Sequence, residues 1–104
     1  MIYHVVLTNF ASEADDAIEQ TFRGAIKLRE DIPQLAEVRC GLIDPADEPT
    51  YDALYEFGFE SREDFAAFSA HEAYQQYVAE VLPVFALVVA YNYEGFTAAT
   101  PRLS

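Results

Sequence analysis

A chain of 104 residues is long enough for one hydrophobic core and too short for two. With 52% hydrophobic residues, seven tyrosines and eight phenylalanines, it is far too apolar to stay disordered over most of its length. Six basic against eighteen acidic residues leave a formal charge of −12 and no basic cluster, which excludes the counterion release that drives binding to nucleic acid or an anionic membrane.

The first strand spans Ile2 to Thr8, with Ile2, His4, Val6 and Thr8 on one face and Tyr3, Val5 and Leu7 on the other. The lead MIYHVVLTNF has no basic start and no small-residue cleavage site, so no signal peptide is expected. Ser12 with Asp15 makes an approximate capping box, and Ala14, Ala17, Ile18, Thr21, Phe22, Ala25, Ile26 and Leu28 recur at helical spacing until Pro33 ends the helix. Gly24 inside that helix costs roughly 1 kcal/mol relative to alanine, and close packing on the sheet would account for it. The next strand, Leu35 to Leu42, alternates Ala36, Val38, Cys40 and Leu42 against a charged side, as an edge strand would. Cys40 is the only cysteine, so no intrachain disulfide can form, and a reducing, cytoplasmic setting fits. It reads as a small buried hydrophobe rather than a nucleophile.

After a surface loop, DPADEPT, the stretch Tyr51 to Phe59 alternates strictly, with Tyr51, Ala53, Tyr55, Phe57 and Phe59 on one side. The period then changes at Ser61, an N-cap followed by Glu63 and Asp64 in the first turn and by Phe65 and Phe68 on a helical stripe. From His71 the chain restarts as helix with Tyr74, Tyr77, Val78, Val81 and Leu82 on one face, until Pro83 stops it. Phe85 to Tyr93 is a final strand, apolar on both sides through Tyr91. The apolar run from Val81 to Tyr91 is broken by Pro83 and falls far short of the ~20 residues of a membrane span. The domain is expected over 1–94, with 95–104 as a polar tail that frays in part.

The order β, α, β, β, α, β is that of an α+β ferredoxin-like sandwich, a four-stranded antiparallel sheet with helices on one face. The other face then leaves Tyr3, Val5, Leu7, Leu87, Val89 and Tyr91 without a cover. The expected solution is a homodimer in which two sheets pack face to face into a dimeric α/β barrel.

The opening IYHVVL, the segment DIPQLAEVRCG, the strand YDALYEFGFES with REDFAAFSAHEAY after it, and the closing strand beyond Pro83 together resemble the stress-responsive A/B barrel (Dabb) domain family. The resemblance implies the same dimeric barrel, and a cavity between helices and sheet lined by His4, Val6, Thr8, Phe22, Ile26, Val38, Tyr55, Phe68, His71, Tyr74 and Val88. A plant polyketide cyclase of that kind, olivetolic acid cyclase, works without a cofactor through the second His of a His-Pro-Ala-His segment and a Tyr three residues before its first His. Here the segment is His71-Glu72-Ala73-Tyr74, and Phe68 stands at the Tyr position. The catalytic pair is absent, and the cyclase activity does not carry over.

Among groups able to do chemistry, His4 reads either as a proton acceptor on a covered strand face or as a buried neutral imidazole bonded to a backbone group or a tyrosine hydroxyl. His71, at a helix start, is either an acceptor kept neutral by the helix dipole or simply a helix-starting residue. Tyr55, Phe57, Phe68, His71 and Tyr74 are expected to approach one another between helix and sheet as a candidate pocket, where Tyr74 and Tyr55 could donate to a carbonyl or enolate oxygen; the other reading of this aromatic stripe is plain core. No metal-ligand spacing, Gly-rich phosphate loop or nucleophile elbow is present, and a lone His71 does not argue for haem, so no metal or cofactor is expected. The function expected is a homodimer binding a small apolar or aromatic molecule. The alternatives are a cofactor-free acid/base enzyme acting on a polyketide-like or aromatic substrate, and a structural stress protein with its cavity packed shut.

Overall fold

The computed structural model describes residues 1–12 and 14–96 of the chain; of the tail expected over 95–104, residues 97–104 lie outside them. The elements are β1 (Ile2–Phe10), α1 (Asp15–Asp31), β2 (Glu37–Leu42), β3 (Ala53–Phe59), α2 (Arg62–Ala70), α3 (Glu72–Val81) and β4 (Phe85–Glu94), with short 3-10 turns at Pro45–Asp47 and Leu82–Val84. All strand pairs are antiparallel in the order β2-β3-β1-β4, which is the α+β ferredoxin-like arrangement expected. The second helical stretch is two helices, because the backbone at His71 is extended and interrupts it.

Register decides what faces what. His4 lies opposite Phe57 and Asn92, Val6 opposite Tyr55 and Ala90, and Thr8 opposite Ala53 and Val88. These residues share the face that packs on the helices, where Tyr55, Phe57, Phe59 and Phe68 are almost wholly buried together with Ala25, Leu28 and Ile32. Burying an aromatic or branched side chain of this size contributes about 1.5–3 kcal/mol, so this face holds most of the subunit's folding energy. The helix after β3 folds straight back because Ser61 Oγ accepts the Asp64 N–H at 3.1 Å, which starts α2 after a two-residue turn and drops Phe68 onto Phe59 and Phe57 at 4.9 and 5.3 Å.

Two local expectations need correction. The Ser12–Asp15 capping box does not form: the helix starts two residues later than that box requires, its N-cap is Ala14 with no side-chain bond, and only the charges of Asp15 and Asp16 complement its first turn. Gly24 packs on a helix, not on the sheet. A Cβ there would come within 2.9 Å of the Tyr77 ring, so the missing side chain is what lets α3 approach α1.

The opposite sheet face carries no helix. Tyr3, Val5 and Leu7 are half-buried there, beside Leu54, while Leu87, Tyr91 and Tyr93 of β4 are exposed. Its β2 side is polar: Arg39 bonds Glu56 at 2.5 Å and the Tyr3 hydroxyl donates to Glu37 at 3.1 Å. Toward β4, Tyr3 stacks on Tyr93 with ring centres 5.1 Å apart. The charged side of β2 thus marks a sheet edge, as its alternation suggested.

Candidate functional site

Between α3 and the sheet lies a cavity of about 120 Å³. Its floor is His4 and Val6 of β1 with Tyr55 and Phe57 of β3; Tyr74, Tyr77, Val78 and Val81 of α3 form the roof; Leu82, Phe85, Val88 and Ala90 close the β4 side. Leu82, Val88 and Ala90 are exposed, so the cavity opens to solvent along β4. A larger depression, of about 660 Å³, lies at the far end of the sheet among Phe10, Asp15, Leu42 and Asp52. It is a worse binding site because loop residues line it and Asp52 is already committed to the Phe10 N–H at 3.0 Å.

The cavity wall is nearly all hydrocarbon, so its few polar groups decide what it can do. Tyr55 and Tyr77 have both spent their protons on α1. Thr21 Oγ1 donates to the Ile18 carbonyl at 2.6 Å and therefore accepts from the Tyr55 hydroxyl, also at 2.6 Å. The Tyr77 hydroxyl donates to the Thr21 carbonyl at 2.6 Å. Burial pushes the Tyr55 phenol up to about 12, against the opposing Thr21 bond, and pushes Tyr77 up further. Tyr55 therefore does not offer its proton to a ligand oxygen, contrary to the role considered for it.

Tyr74 and His4 remain. The Tyr74 ring lies 4.2 Å from Phe68 and edge-on to Phe57, and its hydroxyl makes no hydrogen bond among the described residues. Burial raises its phenol too, so it is a neutral O–H at ordinary pH. The His4 ring lies 5.1 Å from Phe65 and 6.3 Å from Phe57, and its Nδ1 is 2.6 Å from Asn92 Oδ1. Its partner is thus a side-chain amide, not the backbone or tyrosine hydroxyl expected of a buried histidine.

Of the residues expected at the site, His4, Val6, Tyr55, Phe57, Tyr74 and Val88 line one cavity. The others lie elsewhere. Phe68 sits beneath the wall in the core, fully buried, and Thr8 is fully buried with its Oγ1 unpartnered. Phe22 packs against Tyr55 from α1, 5.3 Å away, and Val38 flanks the core from β2. Ile26 is 54% exposed, because its position on α1 falls one step outside the stripe Thr21, Ala25, Leu28 that faces the sheet. His71 is also outside the cavity: its Nδ1 accepts the Ala73 N–H at 3.1 Å as the N-cap of α3, so that nitrogen is used in holding the helix start. Cys40 is half-buried beside the Phe22 carbonyl, and burial pushes its thiol up, as befits an inert core residue.

Tyr77, Val78, Val81, Leu82, Phe85 and Ala90 were not expected at the cavity. Four of them, from Tyr77 to Leu82, stand on the same face of the last helical stretch as Tyr74, and Ala90 is two residues from Val88; that periodicity was the available signal. Among the described residues, no three His, Cys, Asp or Glu side chains gather as they would around a metal ion, and no helix is long and apolar enough to cross a membrane.

Comparison with known proteins places this geometry. The family model described as Stress responsive A/B Barrel Domain matches residues 2–95. No curated protein matches the chain. Among solved structures, At3g17210 from Arabidopsis thaliana superposes with a TM-score of 0.82 at 22% identity, over 95% of this chain and 99% of its own. A dimeric ferredoxin-like protein from Thermobifida fusca gives 0.78 at 24% identity, over 88% of each chain. The hydroxynitrile lyase from Passiflora edulis gives 0.79 at 25% identity, over 92% of this chain and 96% of its own.

Proposed function

The chain belongs to the stress-responsive A/B barrel domain family, and from that premise we propose that it is a homodimer that binds a small, mostly apolar or aromatic molecule between its helices and its sheet. The cavity carries this reading. It is lined by aromatic and branched side chains, and two of its lining residues, His4 and Tyr74, carry uncommitted polar groups, as sites that bind small molecules do. Its volume is close to that of the roughly 150 Å³ cavity that stays dry and takes up benzene in another protein, so a single substituted ring is the right scale. The dimer is supported by the bare apolar face and by the dimeric ferredoxin-like relatives. A cytoplasmic location fits the lone cysteine, and the acidic surface with no basic cluster gives nucleic acid or an anionic membrane nothing to hold.

The test is a ligand screen read by thermal shift, since a molecule that binds only the folded state raises its stability by mass action. Small aromatic compounds raise the melting temperature of the wild type. The variant Val78→Trp, which fills the cavity from its roof, loses that response while remaining folded. A panel that shifts neither protein, or shifts both equally, refutes the reading.

A second reading, a cofactor-free acid/base enzyme, is favoured by one feature: a histidine and a tyrosine hydroxyl face the same apolar cavity. The hydroxynitrile lyase among the structural relatives keeps that reading in view. His4, not His71, is then the residue to carry proton transfer, with Tyr74 as the donor to a substrate oxygen. His4→Ala would abolish turnover of an identified substrate with little change in melting temperature; retained turnover would dismiss the histidine.

A further inference from the structure

His4 and Asn92 stand directly opposite each other on the neighbouring strands β1 and β4, with His4 Nδ1 and Asn92 Oδ1 2.6 Å apart. An amide oxygen can only accept, so Nδ1 carries the hydrogen, and the other nitrogen of a neutral imidazole is then a bare acceptor. The ring also packs near Phe65 and Phe57, at 5.1 and 6.3 Å, and Nε2 has no hydrogen-bond partner among the described residues. Neither Tyr55 nor Tyr77 can serve a ligand as donor, since both protons go to Thr21. His4 and Tyr74 both line the cavity, which leaves Nε2 and the Tyr74 hydroxyl as the uncommitted polar groups of its lining residues.

From this geometry we propose that Asn92 is a positioning residue that fixes His4 as its Nδ1–H tautomer, so that the cavity selects small neutral aromatic molecules carrying a hydroxyl group. The selection rests on the reading of the cavity as a ligand site. A hydroxyl donates to Nε2 and can accept from Tyr74, whereas a bare hydrocarbon of the same shape strips water from both and replaces none of it. Asn92 acts only through His4, and the alternation of β4 puts it at the right place: it follows Val88 and Ala90, cavity residues, on the same face.

Two measurements on the intact protein test this. Long-range proton–nitrogen correlation spectra of nitrogen-15-labelled protein report the His4 tautomer directly; the wild type shows Nδ1–H, and Asn92→Ala moves the ring toward the Nε2–H form that free histidine prefers. Titration with phenol and toluene, which differ little in shape, then reads the selection. The ratio of phenol to toluene affinity falls about fivefold in Asn92→Ala, the loss of one ordinary hydrogen bond, and Asn92→Gln, which keeps the amide oxygen, retains part of it. An Nε2–H tautomer in the wild type overturns the proposal, as does an affinity ratio that Asn92→Ala leaves unchanged. If neither compound binds any variant, the ligand-site reading itself fails and takes the selection with it, while the spectra still decide whether Asn92 sets the tautomer.

Discussion

The strands Ala53–Phe59 and Phe85–Glu94 are both strongly apolar and both belong to the same sheet, yet their fates differ. In β3 the residues Ala53, Tyr55, Phe57 and Phe59 are at most 2% exposed; in β4 Leu87, Val88, Tyr91 and Tyr93 are all more than 40% exposed. Composition does not separate them. Position does: β3 has a strand on each side and three helices' worth of side chains above it, whereas β4 pairs only with β1 and lies at the margin of the helical layer. An apolar strand at an edge, bare on both faces, is surface reserved for something else, and here it supplies both the open side of the cavity and part of the face assigned to a second subunit.

Substitutions on the two sides of this contrast should behave differently, and the largest effect belongs to the cover of β3. Phe68→Ala removes the ring that seals Phe57 and Phe59, and should cost about 3–5 kcal/mol in denaturant unfolding. A loss below 1 kcal/mol would mean that β3 is not the centre of the core. Thr21→Val comes next, because it strips the buried Tyr55 hydroxyl of its acceptor while preserving shape, at about 1–3 kcal/mol by the same measurement. Gly24→Ala sets a gain in helix propensity of about 1 kcal/mol against overpacking on Tyr77 of about 1–3 kcal/mol. The ring is pinned by its own hydrogen bond, so a modest net loss is expected, and a more stable variant would show that α1 and α3 can part freely.

The raised phenol of Tyr55 gives a pH dependence with a definite sign. Below the ordinary tyrosine value near 10, folded and unfolded chains both hold the proton and burial carries no penalty. Above it the unfolded chain ionises first, so stability falls as pH rises from about 10 to the folded value of about 12. Unfolding curves across that range should be shallower in pH for Tyr55→Phe, and equal slopes would remove the buried phenol from the account. Smallest for the subunit itself, yet decisive for assembly, is Leu87→Glu on the bare side of β4: an exposed position, it should change subunit folding by no more than about 0.5 kcal/mol, while weakening association.

How far the site could be read in advance follows from the same contrast. Alternation along β1 and β3 brought His4, Val6, Tyr55 and Phe57 to one face, and the helical stripe brought Tyr74 over them, because those patterns are set by neighbours in the chain. Three misplacements have physical causes. Ile26 belongs to the apolar stripe by count but lies at its margin, beside the buried residues Thr21, Ala25 and Leu28, and stays in solvent. His71 is turned from the cavity by the helix break that makes it a cap, which depends on backbone angles rather than residue type. Phe68 is apolar enough to be wall or core, and only the depth of α2 decides. The pairing of His4 with Asn92 spans 88 residues and follows from the strand order, so nothing local in either segment announces it.

The account stands or falls on what covers the bare face of β1 and β4. Sedimentation equilibrium of the wild type at micromolar concentration should return twice the mass of the chain, and Leu87→Glu should return a folded species nearer one. A wild type that sediments as a single, well-folded subunit would contradict it.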